Sequence, residues 1–147
     1  MRRLCTIGFA KKPLERFVSL LQDARVTRLV DIRLHNTSQL AGFAKKEDLE
    51  YIMRLVGIGY VHDVSLAPDE GLFEDYKHKR VDWKGFQTRY TGLLQERGVE
   101  RRLDEILGDG VSCLLCSEEK AEQCHRGLLA NYLRELRPGE IEVLHLR

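Results

Sequence analysis

At 147 residues and 43% hydrophobic content, the chain has the size and apolar fraction of one ordinary globular domain, able to bury a core without disulfide or metal staples. Its 24 Lys and Arg stand against 23 Asp and Glu, a balance that disfavours a general polyanion binder. No run approaches the roughly 18 apolar residues of a membrane span, and no apolar segment follows Met1-Arg2-Arg3, so a cytoplasmic protein without a membrane partner is expected.

Along the chain, short apolar runs alternate with amphipathic stretches, the pattern of a mostly parallel sheet covered on both faces. Leu4 to Ile7 reads as the first strand, and Pro13 opens a helix carrying Leu14, Phe17, Val18, Leu20 and Leu21. Leu29 to Ile32 is the second strand, with Asp31 and Arg33 at alternate positions and therefore on one side of it. A helix around Leu49, Ile52, Met53 and Leu55 leads to a short third strand, Tyr60 to Val64. From Pro68 to Gly108 the pattern is helical, and Phe73, Tyr76, Trp83, Phe86, Tyr90, Leu93 and Leu94 supply much of the aromatic and aliphatic core. The spacing of Trp83, Phe86 and Tyr90 fits packing better than a base-stacking platform. Val111 to Leu115 is the fourth strand. Leu128, Leu129, Tyr132, Leu133 and Leu136 then mark a helix that Arg137-Pro138-Gly139 ends before the fifth strand, Ile141 to Leu146. The expected fold is one three-layer α/β domain over residues 1–147, with a mostly parallel sheet of about five strands flanked by helices. Strand order and oligomeric state are not readable from these patterns.

Between the fourth strand and its helix stands Cys116-Ser117-Glu118, followed by Cys124-His125-Arg126. Leu114-Leu115-Cys116-Ser117-Glu118 with Cys124-His125-Arg126 resembles the signature of the domain of unknown function 488 family. Thr6-Ile7-Gly8, Leu29-Val30-Asp31-Ile32-Arg33, Gly57 to His62, Trp83 with Phe86 and Tyr90, and Val143 to Leu146 follow in that family's order. Phe9-Ala10 after Gly8, and Leu66-Ala67-Pro68 in place of Leu-Gly-Gly, depart from its commoner pattern. The resemblance implies a site made of Cys116, Glu118, Cys124, His125 and Arg126, supported by Asp31 and Arg33, and it implies no particular reaction.

Residues just past the strands of an open α/β sheet share its carboxyl edge, where ligands bind. Gly8 to Lys12, Asp31, Arg33, His35, His62, Asp63, Cys116 and Glu118 fall there. Gly8 lets the backbone turn or approach a ligand, but without a GxGxxG or GxxxxGK pattern it reads equally as an ordinary turn glycine. For Cys116 four readings stand open: a nucleophilic thiolate, a redox partner of Cys124, a zinc ligand with Cys124, His125 and His62 or His35, and a buried thiol. The Cys-x7-Cys-His spacing is not a standard zinc pattern, so no metal is assigned. Arg126 lies ten residues after Cys116, which separates this loop from the Cys-x5-Arg loop of phosphatases. Cys5 and mid-strand Cys113 read as core.

On a helical wheel His125 points with Leu128 and Leu129 toward the sheet, as a proton carrier or as a structural group bonded to a strand carbonyl. Arg126 flanks that face, where it pairs with Glu118 or Asp31 or holds an anion, and a buried Asp31–Arg33 network competes with independent ligand contacts. Lys11-Lys12 and Lys45-Lys46 can draw an anion to the mouth of the site, while Lys77 to Arg80 is too short a run for nucleic-acid recognition. The leading expectation is a thiol-dependent enzyme for a small anionic substrate, phosphorylated or nucleotide-like. In that reading Cys116, Glu118 and His125 are catalytic, and Arg126, Arg33, Asp31 and Gly8 bind or support the anion, with no cofactor named. The alternative is a non-catalytic module for a nucleotide, a metal or nucleic acid, nucleic acid being the less favoured partner.

Overall fold

A computed structural model describes residues 1–36, 42–117 and 124–147. Five parallel strands form one sheet in the order β3-β2-β4-β1-β5: β1 (Arg2–Gly8), β2 (Arg28–Asp31), β3 (Gly59–His62), β4 (Ser112–Cys116) and β5 (Ile141–Leu146). Among the described residues six α-helices accompany it: α1 (Leu14–Asp23), α2 (Lys46–Leu55), α3 (Glu70–Lys77), α4 (Trp83–Glu96), α5 (Leu103–Leu107) and α6 (His125–Leu136).

Strand alternation divides the interior into two cores. Leu4, Val30, Ile32 and Leu114 lie with Leu72 of α3, Phe86, Tyr90 and Leu94 of α4, Ile106 of α5, and Leu129 and Leu133 of α6. Cys5, Ile7, Leu29, Cys113 and Leu115 lie with Phe17 and Leu21 of α1 and Leu49 and Met53 of α2. The sheet is thus buried on both sides, as near-continuous apolar strands require. The same parity turns Cys116, two residues after Leu114, toward α4 and α6, and Asp31, two residues after Leu29, toward α1 and α2. The helices after β1 and β2 cover one face and the helix after β4 covers the other. The carboxyl end of the central strand β4 is therefore a place where connections diverge, the usual position of a binding crevice in such sheets.

Four strands differ at their ends from the sequence reading, β2 by one residue, running Arg28–Asp31 instead of Leu29 to Ile32. β1 starts at Arg2 because the half-buried Arg2 and the exposed Arg3 pair in register with Ile141 and Glu142 of β5, which an apolar run does not mark. β4 extends to Cys116, paired with Gly8. β3 closes at His62 instead of Val64 because Asp63 caps a 3-10 turn, Val64–Leu66, its carboxylate accepting from the Ser65 amide at 3.2 Å. That turn is fastened from the helical side: the Tyr90 hydroxyl donates to the Leu66 carbonyl at 2.6 Å, and Arg97 donates to the carbonyls of Ser65 and Ala67.

Side-chain caps fix where the helices over the future site begin. Asp69 accepts from the Leu72 amide at 2.8 Å and Asp82 from the Gly85 amide at 2.8 Å. Asp82→Ala leaves that amide without its side-chain acceptor, and chemical unfolding in urea is expected to register a loss of about 1 kcal/mol.

Candidate functional site

β4 delivers Cys116 to the carboxyl edge, and α6 begins with Cys124 at its N-cap and His125 in its first turn. The imidazole is fixed from its far side, where His125 Nε2 lies 2.7 Å from the carbonyl oxygen of Ile32, just past β2. A carbonyl only accepts, so Nε2 carries the proton, and in the neutral ring Nδ1 presents a lone pair. That lone pair faces Cys116 Sγ at 3.5 Å, and Cys124 Sγ stands at 4.0 Å. The edge of the His125 ring also meets Tyr90, with centroids 5.6 Å apart and planes at 80°, which limits its rotation.

All four cysteines are unbridged thiols. Burial, then the adjacent Cys116, pushes the Cys124 thiol well above its ordinary value, against a smaller opposing pull from His125. Cys113 is raised chiefly by burial, and burial pushes Cys5 up to about 11. Both are fully buried core thiols, as the sequence indicates.

Asp31, Arg33, Tyr60 and Asn36 form a second group beside the dyad. Arg33 donates through Nε to Asp31 Oδ1 at 2.9 Å and through Nη2 to Oδ2 at 2.8 Å, a bidentate pair in which both side chains are buried. The Tyr60 hydroxyl donates to Oδ2 at 2.6 Å, and Asn36 Nδ2 donates to it at 3.3 Å. Burial opposes ionisation of Asp31, but the Arg33 hydrogen bonds and charge, with Tyr60, outweigh it and hold the carboxyl below its ordinary range. Burial and the neighbouring carboxylate push the Tyr60 phenol up. Arg33 Nη1 is buried without a hydrogen-bond partner among the described residues, and the guanidinium carbon lies 5.2 Å from the centre of the Phe9 ring.

A cavity of about 640 Å³ opens over these groups. Cys116, Ser117, Cys124, His125 and Arg33 contribute to its lining, and Phe73, Tyr76, Trp83 and Phe86 of α3 and α4 form an aromatic wall. Phe86 and Trp83 belong to the core or pack against it, as expected, and also line this cavity.

The remaining sequence candidates are placed differently. Glu118 lies outside the described residues. Arg126 is fully buried in the first turn of α6 and is not among the residues that line the cavity. Gly8 ends β1, and the next two amides, of Phe9 and Ala10, donate to the carbonyls of Cys116 and Ser117. Those two amides are thereby engaged in extending the β1–β4 pairing. His62 Nε2 bonds the Arg33 carbonyl at 2.7 Å and His35 Nε2 meets Glu70 at 3.2 Å. The cluster of metal-type donors among the described residues comprises Cys116, Cys124 and His125, with donor atoms within 4.8 Å of one another. This donor set suits a thiophilic divalent ion with an open fourth position, and the His125 bond to a backbone carbonyl is the usual support of a metal-binding imidazole. Sequence reasoning missed Tyr60 and Asn36 as partners of Asp31; it offered a strand carbonyl as the partner of His125 without naming Ile32. Pairing of Asp31 with His62 across β2 and β3 brings Tyr60 near, but strand order supplies that pairing.

The fold and site define an all-parallel α/β protein with a Cys-His pair and a buried Asp-Arg pair at the carboxyl edge of its sheet. Within that class, the chain belongs to the family described as Domain of unknown function DUF488, whose model matches residues 13–133. No curated protein and no solved structure matches it. Among the described residues no helix is long and apolar enough to cross a membrane.

Proposed function

We propose that the chain is a small cytoplasmic enzyme that acts on an anionic substrate through Cys116 as a thiolate nucleophile. The observation that carries this reading is the directed dyad: the Ile32 carbonyl holds the proton on His125 Nε2, so Nδ1 is left to take the Cys116 thiol proton at 3.5 Å. Proton transfer creates a thiolate beside an imidazolium, and the N-terminus of α6 favours the negative charge. The thiolate then forms a bond to an electrophilic centre of the substrate, while Nδ1–H returns its proton to the departing group. Arg33, anchored on Asp31, offers Nη1 to the anion. Arg126 acts as a buried positive charge, and Glu118 is retained as a second candidate proton carrier. Cys124, held as a neutral thiol, donates a hydrogen bond to the thiolate in this reading.

The test is the pH dependence of iodoacetamide alkylation at each cysteine of the native protein, resolved by peptide fragmentation. Cys116 is expected to react first, with a midpoint below the ordinary thiol value of about 8.5, while Cys5 and Cys113 stay inert until unfolding. Equal inertness of Cys116 in the folded, metal-free protein overturns the proposal.

A second reading is favoured by the gathering of Cys116, Cys124 and His125 within 4.8 Å: a non-catalytic module that holds a metal ion. Titration with cobalt(II) separates the two. Stoichiometric thiolate-to-metal absorption that is lost in both Cys116→Ser and Cys124→Ser supports the metal module, and its absence leaves the nucleophile reading.

A further inference from the structure

We infer that the cavity takes a nucleotide, with its base against the aromatic wall of α3 and α4 and its phosphate at Arg33 beside Cys116; this rests on the anionic-substrate reading and specifies its chemistry. Two independent features of the cavity point to the two halves of such a ligand. Arg33 is only 3% exposed and lines the cavity, yet its Nη1 makes no hydrogen bond among the described residues. A buried guanidinium N–H without an acceptor is costly, and the cost is recovered when an oxyanion supplies the acceptor. Asp31 already occupies Nε and Nη2, so the guanidinium is held in orientation and Nη1 is the buried donor left without an acceptor among the described residues.

The other half is aromatic. Phe73, Tyr76 and Trp83 are only partly buried and line the cavity with Phe86. Trp83 lies nearly parallel to Phe86, with planes at 10° and centroids 5.4 Å apart, and Tyr76 closes on both rings at centroid distances of 5.9 and 4.8 Å. This packing fixes the rings as a rigid surface, which stacks a planar base at little entropic cost. A bare phosphate or carboxylate would satisfy Arg33 and leave that wall wet. The volume of about 640 Å³ lies within the range of small-molecule sites and exceeds what a lone oxyanion fills. Lys77, whose ammonium lies 6.0 Å from the centre of the Phe73 ring, adds positive charge at the same wall.

Trp83 is the only tryptophan of the chain, so its fluorescence reports the wall directly. The experiment titrates the protein with AMP, adenosine, phenyl phosphate and inorganic phosphate, and repeats the AMP and phosphate titrations by calorimetry on Trp83→Leu and Tyr76→Leu. AMP is expected to quench Trp83 saturably and to bind at least about tenfold more tightly than each of the other three. Each wall variant is expected to lose about tenfold for AMP, the size of one stacking contact, with little change for phosphate. Affinity for AMP no greater than for phosphate, adenosine or phenyl phosphate overturns the inference, as does AMP binding that both folded wall variants retain. A wall variant that fails to fold is replaced as evidence by the other. An unreactive Cys116 in a chain that binds AMP refutes the thiol reading alone, and a reactive Cys116 without AMP binding refutes the nucleotide alone.

Discussion

His125→Gln is expected to make Cys116 slower to alkylate at pH 6 and faster at pH 9, so that the pH profiles of the variant and the parent cross. In the proposed dyad the parent holds a thiolate at low pH, and thiols beside a protonated imidazole titrate as low as about 3.5–7.5, against about 8.5 for a free thiol. Loss of the base returns the thiol from that range toward its free value, which is expected to cut the thiolate fraction at pH 6 by about a hundredfold. Nucleophilicity opposes this, because it rises with thiol pKa with a coefficient of about 0.4–0.5, worth about tenfold over the same shift. The net loss at pH 6 is therefore about tenfold. At pH 9 both thiols are ionised, only the nucleophilicity difference survives, and the variant leads by about tenfold. The side-chain amide of the variant can still donate to the Ile32 carbonyl, so a matched unfolding midpoint controls for structure. A site that the substitution merely loosens would react faster at every pH, and parallel profiles of that kind would remove His125 from the catalytic assignment. Once a substrate is identified, the same variant is expected to lose about 10² to 10⁴ in turnover, the usual contribution of a positioned base.

The Cys116–His125 contact also shows where sequence reading stops. The helix face of His125 is legible from Leu128 and Leu129, and its direction toward the sheet follows from it. The acceptor it reaches, the Ile32 carbonyl, is 93 residues away, and only the placement of β2 beside β4 brings it there. Strand order is decided by how the layers cover the sheet as a whole, and no local pattern encodes it. Asp31 and Arg33 lie two apart in sequence and could be paired by alternation alone. Tyr60 and Asn36 could not, since their approach to Asp31 depends on β3 flanking β2 and on the chain turning back after Arg33. Aromatic spacing in α4 predicted the core correctly but concealed the cavity. Trp83 and Phe86 serve both, and a helical wheel does not distinguish a ring covered all round from one covered on one side.

Asp31→Ala is the substitution with the largest expected effect on stability. The carboxylate is fully buried and receives two guanidinium hydrogen bonds, a phenol, an amide side chain and the Arg33 backbone amide at 3.1 Å. Removing it leaves a buried guanidinium without its counter-charge, and breaking one partner of such a pair costs about 3–5 kcal/mol, a large part of the roughly 5–15 kcal/mol that holds a domain folded. Arg33→Met in the same chain removes the orphaned charge, so the double variant is expected to be more stable than Asp31→Ala alone, as the urea midpoints of the two would show. The pH dependence has a fixed sign. Asp31 titrates below its ordinary value in the folded protein, so its contribution is complete above the unfolded carboxyl value of about 3.9 and disappears as pH falls through the lower folded value. Wild-type stability should therefore fall on acidification from pH 5 to pH 2 more steeply than that of Asp31→Ala. Asp63 is also held low, against its burial, by hydrogen bonds from Arg102 and Ser65, so the variant should keep a shallower acid slope instead of losing it. Equal slopes in the two proteins would mean that the Asp31–Arg33 pair does not carry the charge balance beneath the site, and Arg33 would then lose its role as an anchored anion donor.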